Sequence, residues 1–154
     1  MRRIAMLITG TALLVLPATT GFAGVTGQAT GAGHIGEGEN RRTFAFTAVQ
    51  RPDGTASGEA QLYARGFPAR VHMEVTCVRI EGSVAYVSGV NTIADPAFFE
   101  GVWAVFAVED NGEGAGAIDR VTQLHPAENQ GPEACLTESP SDWMDVDDGN
   151  VRIR

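Results

Sequence analysis

The chain has 154 residues, with nineteen acidic side chains against eleven arginines and no lysine, giving a formal net charge of −8 at pH 7. That excess of negative charge repels nucleic-acid phosphates and anionic lipid, so neither is an expected partner. The length fits a leader followed by one domain.

Met1-Arg2-Arg3 gives a positive start, and an apolar run over 4–16 is interrupted only by Thr9, Gly10 and Thr11. Pro17 ends it, and Gly21 and Ala23 put small residues three and one positions before an expected cut. This is the layout of a secretory signal peptide over residues 1–23. The apolar run, about 13 residues, is shorter than the roughly 20 a membrane-spanning helix needs. The expected exported form is Gly24–Arg154, a single β-domain with no transmembrane segment. The end Asn150–Arg154 carries no hydrophobic anchor, and no cysteine stands directly after the cut, so a secreted, released protein is expected.

Period-two alternation dominates the rest. A weak, glycine-rich strand is expected over 28–35. Residues 43–50 (TFAFTAVQ) put Phe44, Phe46 and Ala48 on one face, and the turn Arg51-Pro52-Asp53-Gly54 leads to a return strand over 57–65. In 69–81, Val71, Met73, Val75 and Cys77 share a face, after which the apolar positions become Val78 and Ile80. That change of parity predicts a bulge or a strand switching sheets. Further strands are expected over 84–92, 102–109 (nearly all apolar, hence central), 119–125 and 150–154, and one helical turn over 95–101 with Asp95 as N-cap, Pro96 in first position and Gly101 at the exit. About eight short strands separated by turns indicate an all-β domain, a single antiparallel β-sandwich or small β-barrel.

Cys77 and Cys135 are the only cysteines. In an exported chain the pair reads as one structural disulfide, and neither lies in a C-x-x-C motif that would suggest redox catalysis. The segment 126–149 is an acidic loop holding seven carboxylates and no basic residue. Within it Asp145, Asp147 and Asp148 hint at a calcium loop, but the glycine comes one residue early for an EF-hand and no bidentate Glu follows. Asp110 and Glu113 on the Asn111-Gly112 hairpin are a second weak cation candidate, against the plainer reading of a turn. His34, His72 and His125 lie on different predicted strands, and nothing in their spacing requires zinc. No metal site or other cofactor is therefore expected, with calcium the one ion left open. Phe98, Phe99 and Trp143 are candidates for a binding surface, the alternative for Trp143 being a plug at the barrel end.

The motifs VTGQATGAGHI, RPDGTASGEAQLY, VHMEVTCV, AYVSGV and FAVEDNGEGAGAID resemble a group of small secreted bacterial proteins of actinobacterial type. They are also similar to the post-COAP-type extracellular domain. The resemblance spans Val25 to Leu124, leaves the acidic segment outside, and implies an all-β extracellular module with no catalytic residue to carry across. No hydrolase, P-loop or dinucleotide motif is present. The leading expectation is a non-catalytic binding or structural module, outside the cell or at its surface, whose partner is an extracellular protein or glycan. The alternatives are a small-ligand carrier using the barrel interior and an enzyme with an acidic site at the barrel mouth.

Overall fold

Alternation along the chain becomes ten antiparallel strands: β1 (Gly27–Ile35), β2 (Arg42–Gln50), β3 (Ala56–Ala64), β4 (Ala69–Glu81), β5 (Val84–Asp95), β6 (Trp103–Glu109), β7 (Arg120–Val121), β8 (His125–Pro126), β9 (Met144–Asp145) and β10 (Asp148–Ile153). The computed structural model describes residues 24–66, 69–114 and 116–154, so the expected signal peptide lies outside the described residues. All the strands belong to one sheet, ordered β10-β1-β2-β3-β4-β5-β6-β7-β9, with β8 beside the start of β6. The terminal strands of that order, β9 and β10, are consecutive in the chain. The sheet therefore curls round a single core and its two ends meet at Val146-Asp147.

Side chains complete that seam. The Val146 amide donates to Asp119 O (2.9 Å) and the Asp147 amide to His34 O (2.9 Å). Further along β10, the Val151 amide donates to Asp119 Oδ2 (2.7 Å) and the Ile153 amide to Asp110 Oδ2 (2.9 Å). Carboxylates thus stand where a neighbouring strand's carbonyls would, leaving less unpaired edge.

The core is built from the inward residues of this sheet, Phe44 and Phe46 of β2, Met73 and Val75 of β4, Val87 of β5 and Phe106 and Val108 of β6 among them. Phe46 meets Phe106 edge-on with ring centroids 5.5 Å apart. β1 explains its own glycine content: a Cβ on Gly31 would lie 2.6 Å from the Phe46 ring, so the strand must stay thin for the ring to pack.

The parity change in β4 is a bulge, with pairing passing from Val75↔Gly89 to Cys77↔Ser88. It falls at Thr76, one residue earlier than the sequence suggests. Cys77 is consequently not on the Val71/Met73/Val75 face; it joins Arg79 outside while Val78 enters the core. There it forms the disulfide with Cys135, in the short helix α1 (Ala134–Thr137). Arg79 adds a clamp: Nε donates to Cys135 O (2.7 Å), Nη2 to Ser139 Oγ (2.9 Å), and its guanidinium lies over the Tyr86 ring. The acidic segment is thus a strap across the outer face of β4 and β5.

Three expectations need correction. The strand over 119–125 is broken into β7 and β8, because the Thr122 hydroxyl takes the Ala107 amide (2.9 Å) in place of regular pairing. The segment 126–149 contains β9 and α1 as well as loop, which raises the strand count to ten. Asp95 does not cap a helical turn: it ends β5 opposite Arg70, and the 3-10 turn Ala97–Phe99 has Pro96 at its N-cap with no side-chain cap. The turn after β2 behaves as read, the Thr55 hydroxyl and amide both donating to Asp53 Oδ1 and holding that carboxyl below its ordinary range.

Candidate functional site

One end of the curled sheet is apolar and incompletely filled. Register places Phe44, Leu62, Val71 and Ala94 side by side on β2 to β5 at that end. A cavity of about 110 Å³ remains, lined by Leu62, Val71, Ala104, Leu124, Phe99 and Asn91 among others. A smaller space of about 40 Å³, bounded by Phe46, Met73 and Phe106, shares Leu62, Val71 and Leu124 with it. No charged residue lines either space among the described residues.

The β5–β6 connection forms the rim. Its turn puts Phe98 in solvent, 67% exposed, against Phe99 with ring centroids 4.1 Å apart, and Phe99 reaches the cavity. Asn91 anchors this rim: its amide donates to Val102 O (3.0 Å), its carbonyl takes the Gly101 amide (2.8 Å), and Nδ2 donates to Phe99 O (3.1 Å). The residue is 3% exposed, and its Oδ1 has no hydrogen-bond partner among the described residues. Only the amide nitrogen can donate to Phe99 O, so that bond fixes which side-chain atom is left over. Asn91 points inward because it keeps the phase of Ala85, Val87 and Gly89; the bulge immediately after it, at Thr92, turns Ile93 outward. The sequence carried one signal for it, an Asn in the inward phase of an apolar strand.

The other sequence candidates fall elsewhere. Asp145, Asp147 and Asp148 are exposed, and no group of three or more potential metal-ligating His, Cys, Asp or Glu side chains occurs among the described residues. Asp110 accepts the Gly112 and Ile153 amides, and Glu113 pairs with Arg152 (2.6 Å), so the hairpin carboxylates fasten the hairpin to β10. The histidines do not converge. His34 Nδ1 lies 2.9 Å from Thr43 Oγ1, His72 Nε2 lies 3.5 Å from Glu59, and His125 Nε2 lies 2.7 Å from Asp142 Oδ1. Trp143 sits under Arg120, 5.4 Å from the guanidinium to the ring centroid, and Arg120 pairs with Glu109. That is the far end of β6 from Phe98 and Phe99, separated by about 20 Å of strand. The aromatic candidates therefore make two places, and of the three only Phe99 borders the cavity.

No helix of the described residues is long and apolar enough to cross a membrane. Comparison with family models, curated proteins and solved structures gave no match.

Proposed function

We propose that this chain is an exported, non-catalytic binding module that takes a small apolar ligand at the loop end of its curled sheet. The observation that carries the reading is a pair of unfilled apolar spaces that share Leu62, Val71 and Leu124, one reaching Phe106 and the other Phe99. Protein interiors are close-packed, and leaving such space open forfeits stability, so its presence favours an occupant. Room for about one aromatic ring is comparable to a 150 Å³ apolar cavity known to bind benzene. Export is supported by the leader-like residues 1–23 and by the Cys77–Cys135 bridge, which suits an oxidising compartment.

A thermal-shift screen of the purified protein against small uncharged aromatics and aliphatics tests this reading. Stabilisation that rises with ligand concentration is the expected result. A uniformly flat screen overturns it.

One observation favours a second reading. His125 and Asp142 form a close pair beside a surface depression that Ser139 and Ser141 also line. A histidine oriented by a carboxylate is half of a nucleophile-activating triad. Against it, the Ser139 hydroxyl is already engaged by Arg79, and no serine hydroxyl hydrogen-bonds to the imidazole among the described residues. Hydrolysis of activated esters that disappears in His125→Ala would establish that alternative.

A further inference from the structure

We infer that Met144 is a reversible oxidation site, where a peroxide turns the thioether into a sulfoxide whose oxygen is then held by Arg42.

Sulfur chemistry in the described part of the chain comes down to this one side chain. Cys77 and Cys135 are joined to each other, and no free cysteine occurs among the described residues. Met73 is 1% exposed in the middle of the core. Met144, by contrast, is only half-buried. It packs against the core from β9 and also borders a surface depression of about 370 Å³ beside the seam, together with Arg42, Gln123 and Asn40. A peroxide in solvent therefore meets Met144 well before it meets Met73.

Arg42 is what makes the product fit. Its Nη1 donates to Met144 Sδ (3.6 Å), and it forms no ion pair among the described residues although Glu37, Asp145 and Asp147 line the same depression. A thioether is a weak acceptor and a guanidinium a permanently charged donor, so the two are unequal partners. Oxidation removes that inequality. A sulfur lone pair attacks one peroxide oxygen, the O–O bond breaks, and the other oxygen departs with the peroxide's protons, as water when the oxidant is hydrogen peroxide. Sulfur loses two electrons, the peroxide gains two, and the sulfoxide oxygen is a polar acceptor. The three rotatable bonds of methionine let that oxygen swing toward Nη1 and form a charge-assisted hydrogen bond. A sulfoxide disrupts a core when its oxygen finds no donor. Here the donor already stands at the sulfur, so β9 keeps its place in the sheet.

Hydrogen peroxide acting on the folded protein, followed by peptide mass spectrometry, should add one oxygen at Met144 at least about tenfold faster than at Met73. A methionine sulfoxide reductase should remove it again. The oxidised protein should melt within about 2 °C of the untreated one, whereas Arg42→Leu should melt several degrees lower after oxidation than before. If Arg42→Leu does not fold, Met144→Gln decides, since its amide oxygen offers Arg42 an acceptor of similar reach. A melt close to wild type supports the assignment, and a loss of several degrees overturns it. Oxidation of Met144 no faster than that of Met73 overturns the site itself. Equal losses on oxidation with and without the Arg42 side chain overturn its part in holding the product.

Discussion

The seam of the curled sheet hangs on Asp119, and its truncation is the sharpest test of how the fold closes. Asp119 is 7% exposed; Oδ1 accepts the Asn111 amide (2.9 Å) and Oδ2 the buried Val151 amide (2.7 Å). Asp119→Ala leaves both donors without partners. Orphaning the buried Val151 amide costs about 2 kcal/mol and the half-buried Asn111 amide about 1 kcal/mol, so the variant should lose about 3 kcal/mol. In a domain with a net stability of about 5–15 kcal/mol that is a large fraction. Asp119→Asn should lose about half as much, because one oxygen remains while the new NH₂ faces an N–H donor. With a urea slope of about 2 kcal/mol/M, the midpoints should fall by roughly 1.5 M and 0.7 M. Hydrogen exchange should report the damage locally, with the Val151 and Ile153 amides losing protection first. A drop below about 0.3 M in Asp119→Ala would mean that β1 pairing alone holds β10 and that the carboxylate bridge contributes nothing.

Three other outcomes follow from the same contacts. Replacing Cys77 and Cys135 together by Ala releases a loop spanning 58 positions, which the chain-entropy model values at about 4 kcal/mol, and the strap across β4 and β5 should become protease-sensitive; an unchanged melt and digest would show the bridge to be idle. Gly31→Val forces a side chain into the space of the Phe46 ring and should cost more than 2 kcal/mol by denaturant melt, whereas the exposed neighbour Ala32→Val should be nearly neutral; equal effects would contradict the inward assignment of β1. Calcium and zinc should leave the melting temperature where EDTA leaves it, because the hairpin carboxylates are engaged by Gly112, Ile153 and Arg152; a rise of several degrees with either ion would restore a metal site.

The strands were readable because their signal is local. Alternation over 43–50 and 69–81, bounded by Pro-Asp-Gly and Glu-Gly-Ser turns, specifies a face without reference to the rest of the fold. The disulfide was readable from the count of cysteines, but the side of the sheet it occupies was not. A bulge at Thr76 rather than after Cys77 moves one residue across the sheet, and alternation cannot locate a bulge to a single position when Cys77 looks apolar in either phase. The break between β7 and β8 was hidden for a similar reason: a threonine hydroxyl replacing a ladder bond leaves no mark on hydrophobic periodicity. Asp110 read as a turn residue and Asp119 as the start of a strand, and their seam function depends on a strand more than thirty positions later. The cavity was the least legible feature, since its walls come from β3, β4, β5, β6 and the segments after β5 and β7, which only the fold brings together. Phe99 was the one part of it that the sequence singled out.

Ala104 gives a way to ask whether that cavity is tolerated or used. It is 2% exposed on β6, opposite Gly89, and its methyl faces the open space beside Leu62 and Leu124. Ala104→Leu adds three buried carbons. At about 0.8 kcal/mol for each CH₂ taken from water, less the rotamer freedom lost on burial, the gain should be 1–2 kcal/mol if the space is empty and shaped to accept them. Overpacking a filled core by the same atoms would instead cost 1–3 kcal/mol, so the sign of the change reports whether the cavity is vacant in solution. Stabilisation together with loss of ligand binding means the chain has kept a hole that a single ordinary substitution would close, which is the trade between stability and function expected of a binding site. Stabilisation in a protein that bound none of the screened aromatics and aliphatics would make the hole a packing defect. Destabilisation would mean that neighbouring side chains already reach into it, and the ligand reading would lose its room.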